Sequence, residues 1–302
     1  MHYDLVSQNR RRAILLMVLF AGLVLLVSWA IAQLSGLNGL SFVAIGAIIA
    51  MCVVAVSYWY SDRLVMSVSH ARIAERSEFQ RYHNLVEGLC LAAGMPKPTL
   101  YVVEDPAPNA FATGRNPKNA SIAVTTGLLE QMERVELEAV LAHELSHIKH
   151  YDTLVSTSVV LLTSLLVLVS DVTLRAGQWG GIRHRNDQNP SRGPQQGFAV
   201  IGAVLLILAP IAARLLQFSL SRRREYMADA GAIEMTRYPP GLIRALKQLE
   251  DDKSVVHSGA RSTSHLWIES PVPRNSGRTA GLNRLFDTHP PLEERIAVLE
   301  RL

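Results

Sequence analysis

The chain has 302 residues, with 30 Lys and Arg against 26 Asp and Glu, a net charge of +4, and 49% hydrophobic residues. That length suits one or two domains, and two cysteines are too few for a disulfide framework, which fits a reducing compartment. The basic excess has no basic–aromatic interleaving, so it argues against nucleic acid as a partner and for contact with anionic lipid head groups.

The apolar residues are unevenly distributed. No Asp, Glu, Lys or Arg occurs from Ala13 to Ser61. A bilayer core of about 30 Å takes roughly 20 apolar helical residues per crossing, so this stretch predicts two spans, Ala13 to Leu34 and Leu40 to Tyr60. Gly36, Asn38 and Gly39 mark the turn between them. Arg10, Arg11 and Arg12 in front, with Ala30-Ile31-Ala32 behind, have the look of a signal peptide. The apolar stretch is longer than the usual ~7–15 residues and a second span follows at once, so an uncleaved anchor is expected. Tyr58, Trp59 and Tyr60 suit an interfacial belt.

Segment 61–152 reads as α+β. Ser69 to Ala93 has helical apolar spacing (Phe79, Tyr82, Leu85, Val86, Leu89) and is stopped by Gly94 and Pro96. Thr99 to Val103 reads as a strand. "EDPAPNAFATG" gives a turn and a short strand, and Ser121 to Thr125 another strand. Leu128 to His150 gives one or two helices rich in Glu and Leu. Thr153 to Ser170 and Gly197 to Ala213 are shorter apolar runs that predict a third and a fourth span. A polar loop at 175–196 separates them. Residues 251–281 read as a linker, and Pro290 to Leu302 as a closing helix.

The Lys/Arg distribution sets the orientation. Arg10 to Arg12, then Arg63, Arg72, Arg76 and Arg81, and later Arg214 and Arg222 to Arg224, place the N-terminus, segment 61–152 and the C-terminal segment on the cytoplasmic side. Arg175, Arg183, Arg185 and Arg192 oppose this assignment but are outnumbered. The division that follows is 1–60 as two anchors, 61–152 as a first soluble part, 153–216 as a membrane hairpin and 217–302 as a second soluble part.

"HELSH" sets His143 and His147 four residues apart, on one face of a helix and one turn apart. This spacing suits two corners of a tetrahedral zinc site. Glu144 is placed to take a proton from the attacking water without ligating the metal. "SRRREYMADA" offers Glu225 as a third ligand, with Asp229 one turn later. Both motifs lie close to a span end, at roughly 10–20 Å beyond the lipid edge if helices 137–175 and 199–233 run on into the cytoplasm. His150 reads as a surface residue too close to His147 to compete as a ligand. His184, His257 and His265 have no partners at ligand spacing.

"HELSH" with a downstream "EYMAD" resembles the gluzincin pattern. Two anchors before that helix and an apolar hairpin after it are similar to the HtpX-type membrane metalloproteases, as are "NAFATG", "NPKNASIAVTTGLLE" and "THPPLEERI". The resemblance covers nearly the whole chain. It implies a zincin-like fold, α+β and mainly helical with a small sheet and four transmembrane helices, and one Zn2+ per chain on His143, His147 and Glu225. It further implies Asp229 as the acid that orients a ligand histidine, here His143, and Asn109 and His289 as residues that bind substrate or the developing oxyanion. Taken alone, Asn109 reads as a turn residue and His289 as a neighbour of a helix cap. The strand at Ala110 to Thr113 could pair with an extended substrate.

The function implied is a zinc endopeptidase of the bacterial cytoplasmic membrane. It would cut misfolded or damaged membrane proteins, or unfolded polypeptides, on the cytoplasmic side as part of stress-responsive quality control, beside other membrane quality-control proteases. The alternatives are an intramembrane protease, opposed by Glu133, Glu136, Glu138, Lys149 and Asp152 around the motif; a CaaX-type protease, which needs more spans; and a non-catalytic zinc-stabilised membrane scaffold, which has no use for Glu144.

Overall fold

A computed structural model of the chain describes residues 2–35, 39–160, 162, 222–252, 254, 266–268 and 290–301. Among these the chain is mainly helical, with one small mixed sheet. Helix α1 spans His2–Ser35 and packs along α2, Gly39–Trp59. The arginines at 10–12 therefore lie within a continuous helix and not before one.

Many large apolar side chains of this pair face outward, among them Ile14, Leu15, Val18, Leu19, Ile45, Ile48 and Ile49. Among the described residues no single helix is long and apolar enough to cross a membrane. Val43–Trp59 and the following α3, Ser61–Val68, satisfy the criterion together as a pair bent by 79°. The third and fourth predicted spans lie mostly outside the described residues, as do the 36–38 turn, the 175–196 loop and nearly all of the 251–281 linker.

The sheet has the order β1-β2-β4-β3. Strand β1 (Arg72–Ile73) is antiparallel to β2 (Thr99–Val103), β2 is parallel to β4 (Asn119–Thr125), and β4 is antiparallel to β3 (Ala110–Asn116). The β3–β4 hairpin carries an irregularity between Gly114 and Asn116. Gly114 has φ 134, a value that disfavours any side chain. Strand β3 is thus an edge of the described sheet, with Ile268 N donating to Ala110 O at 3.0 Å on its open side.

Helix α4 covers Gln80–Ala93, shorter than the predicted Ser69 to Ala93. The residues before it are taken by a turn and β1, which completes the sheet edge beside β2. Gly94, at φ 63, closes α4. Helix α5 (Thr126–Gln131) begins at Thr125, whose hydroxyl accepts from Leu128 N. Helix α6 (Arg134–Lys149) begins with a capping box formed by Glu133 and Glu136.

Helix α6 is buried along most of its length, between α4, β3, α8 (Arg222–Thr236) and α9 (Pro239–Asp251). It does not run on unbroken to the apolar segment, as the helix predicted over 137–175 would. It stops at Lys149, Tyr151 adopts φ 62, and helix α7 resumes at 152–160. A left-handed tyrosine costs on the order of 1–2 kcal/mol. Helix α10 (Leu292–Leu299) packs on α9.

A hydrophobic cluster of Val65, Phe111, Ala123, Val160 and Trp267 is accompanied by two further ones. One joins the sheet, α4, α6, α9 and α10 through Val86, Ile122, Leu141, Leu145, Leu246 and Ile296. The other joins Ala13, Leu16, Met17 and Phe20 of α1 to Leu154, Val155 and Val159 of α7. Helix α6 contributes to the first of these two, and α7 to the second and, through Val160, to the Phe111 cluster, so the helices on either side of the break serve different cores.

Candidate metal centre

Helix α8 packs against α6 closely enough that a Cβ at Gly231 would collide with Ser146 Oγ. The absence of a side chain there lets the two backbones approach. Glu225, two turns earlier on α8, comes beside the two histidines of α6. One ligand atom from each of His143, His147 and Glu225 lies within 4.8 Å of the others.

The two Nε2 atoms are 3.1 Å apart, and each faces one oxygen of the Glu225 carboxylate, His143 Nε2 at 3.6 Å from Oε2 and His147 Nε2 at 3.7 Å from Oε1. A tetrahedral ion with bonds of about 2.1 Å holds its ligand atoms roughly 3.4 Å apart. The observed distances bracket that value.

The other ring nitrogens face carboxylates. His143 Nδ1 is 2.9 Å from Asp229 Oδ1, and His147 Nδ1 is 3.2 Å from Asp152 Oδ2. In a neutral imidazole whose Nδ1–H donates to a carboxylate, Nε2 keeps a lone pair. Two lone pairs aimed at one another across 3.1 Å repel unless a cation lies between them. The donor set of two imidazoles and one carboxylate therefore fits a zinc-type ion.

Charge around the site points the same way. Burial and the Arg295 charge push the His143 imidazole down, but Asp229 and Glu225 outweigh them and raise its pKa to about 9. The cleft draws positive charge, as a proton or as a metal. Glu144 is buried, and burial raises its pKa although both imidazoles oppose the rise. A carboxyl with a raised pKa next to the three ligand residues suits reversible proton transfer.

Two residues that supply this environment escaped the reading of the sequence. Arg295 of α10 is 0% exposed. Its Nε donates to Asp229 Oδ2 at 2.9 Å and its Nη2 to Asp229 Oδ1, a forked pair. Its Nη1 is 3.6 Å from Glu225 Oε2. Burial raises the Asp229 pKa, but the Arg295 guanidinium and the His143 imidazole together outweigh it, and the carboxyl stays below its ordinary range. Arg295 Nη2 also lies 3.3 Å from His143 Nδ1, farther than the Asp229 carboxylate at 2.9 Å. The second residue is Asn9 of α1, whose Nδ2 donates to Asp152 Oδ1 at 2.7 Å and to His150 O at 2.9 Å.

His150 is buried and not at the surface as predicted, because the chain turns inward after α6 and sets its Nδ1 3.3 Å from Ser146 Oγ. Asp152 is buried as well. Asn109 is buried just before β3, where its backbone N–H donates to Thr125 Oγ1 at 2.9 Å and its Oδ1 accepts from Ala110 N at 3.0 Å. His289 lies outside the described residues.

Comparison with known proteins agrees with this geometry. Residues 76–302 match the family described as Peptidase family M48. Over 304 residues the chain is 41% identical to a protease HtpX homolog of Limosilactobacillus fermentum, covering 100% of both chains. It is 41% identical over 303 residues to a homolog from Tropheryma whipplei (strain TW08/27), covering 100% of this chain and 99% of that one. A Streptococcus gordonii homolog is 38% identical over 302 residues, with 100% of each chain covered. The fold resembles the crystal structure of S. mikatae Ste24p, with a TM-score of 0.51 and 17% identity, over 99% of this chain and 67% of that chain.

Proposed function

The chain belongs to peptidase family M48 and is a metallopeptidase of the HtpX type, and from that premise we propose a zinc-dependent endopeptidase working at the cytoplasmic face of a bacterial inner membrane. His143, His147 and Glu225 would hold the zinc. The observation that carries this is the pair of Nε2 atoms 3.1 Å apart, each turned inward by a carboxylate on its Nδ1.

Zinc bound there supplies Lewis acidity, polarising the scissile carbonyl and acidifying a water. Glu144 accepts the proton of the attacking water and passes it to the leaving amine nitrogen. Asp229 and Asp152 hold the two imidazoles in the tautomer that presents Nε2, and Arg295 helps to keep Asp229 ionised. Asn109 and His289 are proposed to bind substrate or the developing oxyanion. Strand β3 offers the edge for an extended substrate, with Ala110 O already used by Ile268.

The membrane reading is supported by the charge-free run from Ala13 to Ser61 and by outward-facing apolar side chains on α1 and α2. We place spans at 13–34, 40–60, 153–170 and 197–213. The substrates are proposed to be misfolded or damaged membrane proteins, with other quality-control proteases as functional neighbours.

The test is Glu144→Gln in the full chain, purified in detergent and assayed on an unfolded casein-type substrate. Retained zinc with cleavage reduced by about 10²–10⁴-fold is expected. Cleavage equal to wild type with zinc bound removes the general base from the account.

A further inference from the structure

Between α1, the end of α2, the β3–β4 hairpin and the 151 turn lies a cavity of about 270 Å³ that is separate from the metal centre. Its polar lining includes Arg10 and Arg115 with Tyr58 and Tyr151, and Met17 and Leu154 form part of an apolar floor. Arg10 Nη2 donates to Tyr151 Oη at 3.0 Å, and its guanidinium stands 4.6 Å over that ring. Arg115 Nη1 donates to Trp59 O at 2.9 Å, with the guanidinium 4.3 Å over the Trp59 ring. Neither arginine has a carboxylate partner among the described residues. Elsewhere Arg72, Arg76 and Arg295 all pair with Asp or Glu.

Arg10, Ala13, Ile14 and Met17 of α1 line the cavity. Arg10, Ile14 and Val18 follow at four-residue intervals and share a face. Ile14 and Val18 are 60% and 61% exposed. A cationic pocket with exposed Ile14 in its lining and Val18 one turn further on α1 matches one class of molecule, an anionic group joined to hydrocarbon chains.

We propose that this cavity binds the headgroup of an anionic phospholipid, with the phosphate between Arg10 and Arg115 and an acyl chain along Ile14 and Val18. Guanidinium forks suit phosphate oxygens. Basic pockets between helices on the cytoplasmic side take such headgroups. The proposal rests on the membrane reading above. A lipid here would clamp α1 to the 151 turn. Those elements also carry Asn9 and Asp152, so the lipid would brace the support of His147.

The experiment uses the full chain in neutral detergent and a phosphatidylglycerol with a fluorescent tail. Wild type is compared with Arg10→Gln/Arg115→Gln and with the remote pair Arg134→Gln/Arg301→Gln, which loses the same net charge. Binding should weaken about fivefold per pocket arginine and roughly 20-fold for the pair, with the remote pair close to wild type. Arg10→Lys/Arg115→Lys, which keeps the charge without the fork, should be intermediate. It carries the test should the glutamine pair not fold.

Unlabelled phosphatidylcholine and inorganic phosphate should fail to displace the probe. Displacement by phosphate as effective as by phosphatidylglycerol would make this a simple anion site and overturn the lipid assignment. Equal weakening in both pairs would reduce the effect to net charge, and no weakening in either would leave the cavity without a lipid. In both cases the proposal is overturned. Alkaline carbonate extraction separates the two readings. A chain that is released from membranes refutes the membrane reading itself. A chain that stays integral but binds lipid independently of Arg10 and Arg115 refutes only the pocket.

Discussion

Asp152 Oδ2 lies 3.2 Å from His147 Nδ1 although the residues are five apart, a separation that points side chains away from each other on an unbroken helix. The break at 150–151 makes the contact. It turns His150 inward, places Tyr151 at φ 62 and brings Asp152 back towards the metal centre. Asn9 of the N-terminal helix then holds the other oxygen of Asp152. The two histidines are thus supported from different parts of the chain, His143 by α8 and α10 and His147 by the break and α1.

Asp152→Ala should lower zinc affinity by about 10–100-fold, the usual cost of losing a partner behind a ligand histidine. Asn9→Ala should lower it by less than about tenfold, because Asp152 remains. Competition with a chromogenic chelator measures both. Equal affinity in Asp152→Ala and wild type would show that the contact does not orient His147.

Arg295→Ala leaves Asp229 and Glu225 as buried acids without their counter-charge. A loss of about 3–5 kcal/mol is expected. Arg295→Lys keeps the charge but not the fork, so it should recover part of the stability. Thermal unfolding in detergent would show the order wild type, Lys, Ala. A midpoint unchanged in the alanine variant would mean that the pair contributes nothing net.

Gly231→Val should separate α8 from α6, since a side chain there meets Ser146 Oγ. Overpacking of this kind costs about 1–3 kcal/mol. It should also weaken zinc binding, because Glu225 rides on the displaced helix. Gly231→Val with wild-type melting and zinc content would show that the helices do not need this close approach.

Stripping the metal with a chelator should lower the melting midpoint, and added zinc should restore it. A ligand at about 1,000 times its dissociation constant stabilises by roughly 4 kcal/mol. Magnesium, which prefers oxygen ligands, should not restore it.

Much of the centre can be read in the one-dimensional text because its parts are local. His143 and His147 share a face by their spacing, and Glu225 and Asp229 do so on a second helix. The strands at Thr99 to Val103 and near Ser121 to Thr125 announce themselves by β-branched residues. What was hidden is non-local or unpunctuated. Arg295 meets Asp229 across 66 positions and Asn9 meets Asp152 across 143, and neither carries a local pattern. The break after Lys149 contains no Gly or Pro, so nothing in the composition marks it. Residues 69–79 have helical spacing in part, but pairing with β2 prevails over it. Half of predicted span three, all of span four and His289 fall outside the described residues.

The central claim is that His143, His147 and Glu225 jointly hold one zinc ion. The most direct measurement is the zinc content of the full chain purified in detergent, by elemental mass spectrometry, beside Glu225→Ala and Glu144→Gln. The account predicts one zinc per chain in wild type and in Glu144→Gln, and a near-complete loss in Glu225→Ala. Full zinc content in Glu225→Ala, or none in folded wild type supplied with zinc, would contradict it.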